Sequence, residues 1–230
     1  MRRVGGQCGI GSALSPNQIG GESFIRHIGN DKLIYDFKSG SGTVVHDKSH
    51  CGNNGTFGAG AAALTWRRNS LYFDGGDYVT LTGINHGIST GGLTFCCSLS
   101  NFSDSNYLFD QQTVRFIVNS SDDKIRSYQD SLGYLLTDSG ISSITPISSQ
   151  VTRDNSGNLE CYVNGKSSAK GLSASTDVTY NGTSEIRLGS SYTGSNRFTG
   201  TMYSFRILNK GLSGIEAQQI YLSNKFRGNN

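Results

Sequence analysis

The 230-residue chain is predicted to be an all-β antiparallel sandwich closed by one short helix. Three observations carry that prediction. First, a dozen or so short segments alternate apolar and polar residues and recur about every 8–12 positions, the spacing of sandwich strands and their turns. Second, the chain holds 31 glycines, only two prolines and 10% aromatic residues, a composition suited to short strands joined by tight turns. Third, the stretch from Thr201 to Tyr221 reads as one strand, one turn and one helix. Thr201, Tyr203, Phe205 and Ile207 alternate with Met202, Ser204, Arg206 and Leu208, a period of two. Asn209-Lys210-Gly211 turns the chain. Ser213-Gly214-Ile215-Glu216 is a capping box, with Leu212 placed for a hydrophobic staple. The helix after it spans barely three turns and must pack against the sheet, because a helix that short is marginal alone.

The other elements follow in order. Leu33, Tyr35 and Phe37 alternate with Ile34 and Asp36, and a polar turn from Asp47 to Gly55 follows. Residues 58–63 are small, suited to close backbone approach. Trp66, the only tryptophan, reads as a packing or edge residue. Leu71-Tyr72-Phe73 and Tyr78-Val79-Thr80-Leu81 flank Asp74-Gly75-Gly76-Asp77 as a hairpin. Leu93, Phe95, Cys97 and Leu99 form a core strand, followed by strands at 107–109 and 114–118 and a strand region within 127–136. Gln150 to Arg153 and Leu159 to Val163 form a hairpin over Asp154-Asn155-Ser156-Gly157. Glu185 to Gly189 is a late strand. There is no convincing internal repeat.

Four of these stretches carry a family resemblance. They are LIYDFKSGSGTVVHDKSHCGNNGTF from Leu33, LYFDGGDYVTL from Leu71, VTRDNSGNLECYVNGK from Val151 and RFTGTMYSFRILNKGLSGIEAQQIY from Arg197. In that order they resemble the opening strand and turn, two hairpins and the closing strand and helix of laminin G-like, concanavalin A-like jelly-roll domains. The resemblance spans residues 33–226 and implies a concanavalin A-like antiparallel β-sandwich. The domain organisation is then a Gly-rich arm over 1–30, a sandwich over 31–226 and a tail at 227–230. Fold alone does not give function, since this architecture hosts lectins, adhesins, glycan hydrolases and spacers.

Composition narrows the classes. The formal net charge is +3 with scattered basic residues, whereas nucleic-acid readers carry a basic stripe. No apolar run approaches the ~20 residues that cross a bilayer as a helix. The N-terminus lacks the continuous apolar core of a secretory signal, so synthesis in the cytoplasm is expected. The five cysteines are odd in number and unpatterned, and are expected as free thiols acting as small hydrophobes. Cys96 and Cys97 are strand neighbours, so only one is expected in the core. A Cys97–Cys161 bridge is conceivable but has no support. The sequons at Asn54, Asn101, Asn119 and Asn181 read as turn chemistry.

Catalytic residues are not expected. Glycosidases pair two carboxyl groups across a cleft, and this chain has only Glu22, Glu160, Glu185 and Glu216. None has a second acid two positions along its strand. There is no G-x-S-x-G elbow, and His46-Asp47-Lys48-Ser49-His50-Cys51 lacks the further ligands of a zinc site. The resemblance implies a calcium site, with Asp47, Asn53, Asn54 and Asp77 as ligands, because related domains often hold the ion between the opening turn and a sheet-edge loop. The sequence departs from that pattern at Gly76-Asp77, where many relatives carry two acids. The competing reading is that these Asp and Asn side chains satisfy their own turn backbones.

Saccharide binding needs exposed aromatics beside polar side chains, and Tyr107, Tyr128, Tyr134, Tyr180 and Tyr192 qualify. The same tyrosines suit a protein interface. The arm has Phe24, Ile25 and Ile28 as apolar anchors for docking onto a protein shell or larger assembly. Two functions follow. One is a non-enzymatic virion-type structural or decoration protein, anchored through its arm at a particle surface, since such modules are common in phage virions. The other is a stand-alone carbohydrate-binding module, calcium-dependent or not. No nucleic acid or membrane insertion is expected; a homo-oligomer is left open.

Overall fold

The structure is a computed structural model. It describes residues 31–38, 40–58, 64–81, 93–102, 106–111, 114–119, 124–129, 133–136, 146–154, 158–171 and 185–225. The expected arm (1–30) with Phe24, Ile25 and Ile28, the 227–230 tail and Tyr180 lie outside the described residues.

Sixteen strands and one helix occur among the described residues. They are β1 (Asp31–Tyr35), β2 (Val44–Val45), β3 (Gly55–Phe57), β4 (Thr65–Arg67), β5 (Ser70–Asp74), β6 (Val79–Leu81), β7 (Leu93–Ser100), β8 (Asn106–Asp110), β9 (Val114–Asn119), β10 (Lys124–Gln129), β11 (Gly133–Leu136), β12 (Ile147–Arg153), β13 (Leu159–Val163), β14 (Lys166–Gly171), β15 (Ile186–Leu188), β16 (Thr199–Leu208) and α1 (Gly214–Lys225). The strands form two antiparallel sheets. The back sheet runs β14-β13-β12-β7-β16-β5-β4, with β1 also paired to β16, and the front sheet runs β11-β10-β9-β8-β15-β6-β3-β2. This is the jelly-roll sandwich that the sequence predicts.

The core lies between the sheets. Leu33, Tyr35, Phe73, Phe95, Leu99, Phe109, Phe116, Leu188 and Phe205 are all buried there. Phe109 sits at its centre, with ring centroids 4.7 Å from Phe95 and 5.6 Å from Phe205. Offset aromatic contacts of this kind add to the area they bury. Trp66 is an edge and packing residue: it lies on β4, its ring is 5.8 Å from Phe57, and its indole N–H donates to Gly42 at 2.9 Å.

The strict alternation expected of β16 does not hold along its length. Its register with β7 shifts between Met202 and Ser204. A bulge puts one extra residue into the strand and reverses which face follows, so Met202 faces the sandwich core together with Phe205 and Ile207. Leu208 faces the other way, into a second cluster with Cys96, Tyr162, Leu212, Ala217 and Ile220 beneath α1. Hence Cys96 and Cys97 are both buried, against the expectation that only one would be. They do point to opposite sides, but both sides of the back sheet are covered here. Cys96, Cys97 and Cys161 form no disulfide, so Cys97 and Cys161 are not bridged. Cys51 departs from the expectation of free thiols. It is disulfide-bonded.

The 71–81 stretch also differs from expectation. It is an arch, because β5 belongs to the back sheet and β6 to the front. Asp74 pairs with Thr199 on β16 and Val79 with Leu188 on β15. Phe73 and Val79 are both fully buried, so a chain changing sheets keeps both on the core, as sandwich corners do. The β12–β13 hairpin is as expected, with Asp154 Oδ1 accepting from the Asn158 amide at 2.8 Å.

The helix cap forms as predicted. The Ser213 amide donates to Glu216 Oε2 at 2.9 Å and the Glu216 amide to Ser213 Oγ at 3.4 Å. Lys210 Nζ pairs with Glu216 Oε1. A hydroxyl relay fixes the turn ahead of the cap: Thr94 donates to the Lys210 carbonyl at 2.7 Å, and Thr152 Oγ1 accepts from the Leu212 amide at 2.7 Å. Gly165, at φ 75°, closes the β13–β14 turn against the helix, where a Cβ would meet Gln218 Cα at 2.9 Å. No side chain fits there.

Partial burial raises the Glu216 pKa, but the hydrogen bonds from Lys210 and Ser213 outweigh it and hold the carboxyl below its ordinary value. Such a group stabilises the fold above its unfolded pKa and loses that contribution as pH falls through the folded one. Glu216→Gln is therefore expected to be less stable than the parent by about 1 kcal/mol at pH 7, the scale of a helix cap. The gap should narrow as the pH falls from 7 to about 3, below the ordinary carboxylate range. Denaturant unfolding at both pH values checks this, and a pH-independent gap would place the effect in packing instead.

Candidate functional site

The outer face of the front sheet is built by register. Arg187 on β15 stands opposite Thr80 on β6 and Asp110 on β8. Asp110 stands opposite Arg115 on β9, and Arg115 opposite Tyr128 on β10, which in turn pairs with Tyr134 on β11. The core-facing neighbours Leu188, Phe109 and Phe116 alternate with Arg187, Asp110 and Arg115, so these polar residues share the outer side. The neighbouring row carries Tyr107, Ile117 and Arg126, each half-buried.

A loop from Gly189 to Phe198 leaves β15 and lies against this face. Its two ends meet where the Phe198 amide donates to the Gly189 carbonyl at 2.8 Å. Within it, Gly194 and Asn196 hold positive φ values of 82° and 51°, and the Ser191, Thr193 and Ser195 hydroxyls lie 2.9–3.1 Å from one another. Asn196 also accepts from the Tyr107 amide at 3.2 Å. The loop is tied to the sheet by Asp110, whose Oδ2 accepts the Tyr192 amide at 2.8 Å. Asp110 itself is buried, with Arg115 Nε 3.4 Å from its Oδ1. Tyr192 consequently stands 36% exposed over the face. Arg187 lies 4.6 Å from the Tyr78 ring centroid and 5.8 Å from that of Tyr192, and pairs with Glu185. The cation fixes both rings by cation–π attraction. Arg197 joins this loop to the β5–β6 arch, donating from Nε to Gly194 at 2.9 Å and from Nη1 to Gly76.

Of the tyrosines expected at a binding surface, Tyr107 and Tyr192 are brought to one place by these backbone contacts. Tyr128 and Tyr134 occupy register positions beside Arg115. Sequence reasoning did not find Asp110, Arg115, Arg187 or Tyr78. Asp110, Arg115 and Arg187 each lie on a strand of their own and Tyr78 just ahead of β6, and only the pairing of β6, β15, β8 and β9 makes them neighbours. The alternation of Arg187 and Asp110 with core residues was the signal in the sequence, but it gives a face and not a partner.

The expected calcium ligands separate into two places. Asp47, Asn53 and Asn54 organise the opening turn. Asp47 Oδ1 accepts from the Ile34 and Ser49 amides at 2.9 and 2.8 Å, and Oδ2 from Ser49 Oγ and the Asn53 amide at 2.7 and 2.8 Å. Asn54 Oδ1 accepts the Asp47 amide at 2.9 Å, and Asn53 Nδ2 donates to the Lys32 carbonyl at 2.8 Å. A carboxylate has about four lone-pair positions, and all of those on Asp47 are engaged. This turn does not fit a cation. Asp77 lies at the other end of the β3–β6 pairing, where Phe57 stands opposite Val79 and Gly58 bonds to Tyr78. Among the described residues no group of three or more His, Cys, Asp or Glu side chains is placed to hold a metal.

Comparison with known proteins agrees with this fold. The family model of the concanavalin A-like lectin/glucanases superfamily, Laminin_G_3, matches residues 73–218. The chain belongs to that superfamily. Among solved structures this concanavalin A-like chain is similar to Trypanosoma rangeli sialidase in complex with sialic acid, with a TM-score of 0.67 and 14% identity over 86% of this chain and 33% of the sialidase. It is also similar to the binding domain of botulinum neurotoxin serotype C1, with a TM-score of 0.65 and 12% identity over 85% of this chain and 52% of that domain. A third is a botulinum neurotoxin type C structure whose cell entry is described as dependent on two ganglioside molecules, with a TM-score of 0.66 and 13% identity over 85% of this chain and 51% of that one. The chain thus spans about a third of the sialidase and half of the toxin domains, and at these identities the likeness shows the fold. A comparison with curated protein sequences found no match.

Asp47→Ala is expected to cost about 3 kcal/mol of stability, since four donors lose a charged acceptor. The loss should be the same in EDTA and in millimolar calcium, because the side chain serves the turn backbone. Unfolding midpoints in the two buffers check it, and a penalty confined to the calcium buffer would make Asp47 a metal ligand.

Proposed function

We propose that this chain is a non-enzymatic, lectin-like binding module whose saccharide face is the outer side of the front sheet. The observation that carries the reading is Tyr192, held half-exposed over that face by the Asp110–Tyr192 amide bond and the Arg187 guanidinium. A fixed aromatic ring offers a flat apolar surface to the C–H side of a sugar. The hydroxyls of Thr193 and Ser195 beside it offer hydrogen bonds, and this pairing of apolar surface with a few placed polar groups is what ligand sites need. The ganglioside dependence of the type C neurotoxin supports a glycan ligand by analogy of fold.

The non-enzymatic reading is supported by where the acids lie. Glu160 accepts from Ser167, Glu185 pairs with Arg187, Glu216 caps α1, and Asp110 holds the Tyr192 amide. A glycosidase needs two carboxyl groups about 5–9 Å apart and open to substrate. Each of these four is already engaged in holding structure.

Display on a virion-type particle is the wider form of the proposal. It draws on the Gly-rich segment of residues 1–30 and on β1, which begins at Asp31 in the back sheet beside Leu208. A tether entering there leaves the front sheet facing away from the anchor, and a particle surface is the location proposed.

Tyr192→Ala is expected to weaken the best ligand of a glycan array by about tenfold, the upper end of the roughly 0.5–1.5 kcal/mol of an aromatic ring contact, with an unchanged melting temperature. Deleting residues 1–30 should leave that binding intact. An array blank for well-folded parent protein would overturn the saccharide reading. Full incorporation of the truncated protein into its particle would overturn the role of the arm.

A further inference from the structure

The opening turn carries a covalent bond that the saccharide face does not use. Cys51 is disulfide-bonded, while Cys96, Cys97 and Cys161 form no disulfide. The chain has five cysteines, and the fifth is Cys8. The turn presents Cys51 at a fixed place. Its amide donates to Ser49 Oγ at 3.1 Å, and that hydroxyl donates in turn to Asp47 Oδ2 at 2.7 Å. Asn53 Nδ2 ties the same turn to the Lys32 carbonyl at 2.8 Å. Cys51 Sγ thereby lies 3.8 Å from the carbonyl oxygen of Asp31, where β1 begins.

A strip of unanswered polar groups starts at the same corner. Asp31 pairs with Leu208 on the side that α1 shares, and Arg206, Cys96 and Gln150 stand opposite one another across β16, β7 and β12. All lie on the outer side of the back sheet. Asp31, Arg206 and Gln150 are 5%, 7% and 0% exposed, yet Asp31 Oδ1, Arg206 Nη1 and Gln150 Oε1 have no hydrogen-bond partner. Burial pushes the Asp31 pKa up to about 6, against the pull of Arg206. Buried polar atoms without partners are rare in native structures. Among the described residues α1 is the one element outside the two sheets, and it packs on β12 and β14.

We propose that Cys8 is the partner of Cys51, and that residues 9–30, closed into a loop with both ends at the root of β1, lie over this strip. The reach suffices. Three strand spacings separate β1 from β12, about 15 Å, and residues 9–30 extend on the order of 70 Å, enough to go out and return. Gly9, Gly11, Gly20, Gly21 and Gly29 let backbone approach a sheet closely. Its N–H groups answer Asp31 and Gln150, and its carbonyls answer Arg206. The bond forms by exchange with a small-molecule disulfide. The Cys51 thiolate attacks one of its sulfurs and expels a thiolate, and the Cys8 thiolate then displaces the second. One small disulfide is consumed, two small thiols leave, and the two electrons lost by the protein thiols reduce them. Oxidising surroundings keep such a clasp shut and reducing ones open it. Shut, it leaves only residues 1–7 to extend beyond the bond. The inference stands independently of the saccharide reading.

The test is a tryptic peptide map of the full chain, oxidised with glutathione disulfide, alkylated under denaturing conditions and digested without reductant. Val4–Arg26 and Ser49–Arg67 are expected as one linked species that reduction separates, from a protein that runs as a monomer on a non-reducing gel. Recovery of Cys8 and Cys51 unlinked overturns the clasp. So does Cys51 linked to another cysteine or to a second copy of the chain. Hydrogen exchange then reads the cover, with Cys8→Ser as the unclasped chain. Amides of residues 9–30 are expected to exchange about tenfold or more slowly in the oxidised parent than in Cys8→Ser, as in a segment that opens less often. Equal, rapid exchange in both overturns the placement of the loop over the strip.

Discussion

The constraint on which the rest of the fold depends is that β16 is buried on both faces. Phe205 and Ile207 fill the sandwich while Leu208 lies under α1. One edge of the strand pairs with β7, and the other is shared by β5 near its start and β1 near its end. A strand in that position cannot slip, because a one-residue shift exchanges its two faces. The bulge near Tyr203 reconciles an N-terminal half set by Met202 with a C-terminal half set by Phe205. It also brings the Tyr203 hydroxyl 2.9 Å from Ser100 on the outer side. The helix cap is the other half of the same device, since the Thr94 and Thr152 hydroxyls fix the chain between Leu208 and Leu212.

Local chemistry made much of the fold legible. The Ser213–Glu216 box and the Asp154 turn are each dictated by residues within a few positions of one another, and each forms as read. The closing strand was legible as a strand but its bulge was not, because alternation alone fits a flat strand equally well. The arch read as a hairpin for a related reason. Asp-Gly-Gly-Asp between two apolar runs is hairpin chemistry, and only the competing partners Thr199 and Leu188, far along the chain, draw β5 and β6 into different sheets. The cysteines followed redox logic applied to the chain as a whole, which could not anticipate a bond made by Cys51 alone of those described.

The site was legible in a different proportion. Tyr192 stood out because an aromatic within Ser-Ser-Tyr-Thr-Gly-Ser-Asn has no apolar neighbours to pack with and is bound to sit at a surface. What orients it was hidden. Asp110 lies 82 positions away and looked like one more polar residue at the end of a strand. Conversely, Asp47 and Asn53 looked like ion ligands because turns that bind ions and turns that bind their own amides use the same residue types. Only the count of donors on Asp47 separates the two, and that count requires coordinates.

The two sheets divide the work of the domain. On the back sheet Cys96 and Leu208 are sealed under α1, and Thr94 and Thr152 spend their hydroxyls on the turn before it. That surface is consumed in holding the C-terminus. The front sheet has no helix of its own among the described residues, and its outer rows keep arginine and tyrosine side chains in half-buried positions around a buried Asp110, against the 189–198 loop. The arch at residues 74–78 ties the two together: it pairs into the back sheet at Thr199, enters the front sheet at Val79, and is held by Arg197 to the Tyr192 loop, which itself runs from β15 of the front sheet to β16 of the back.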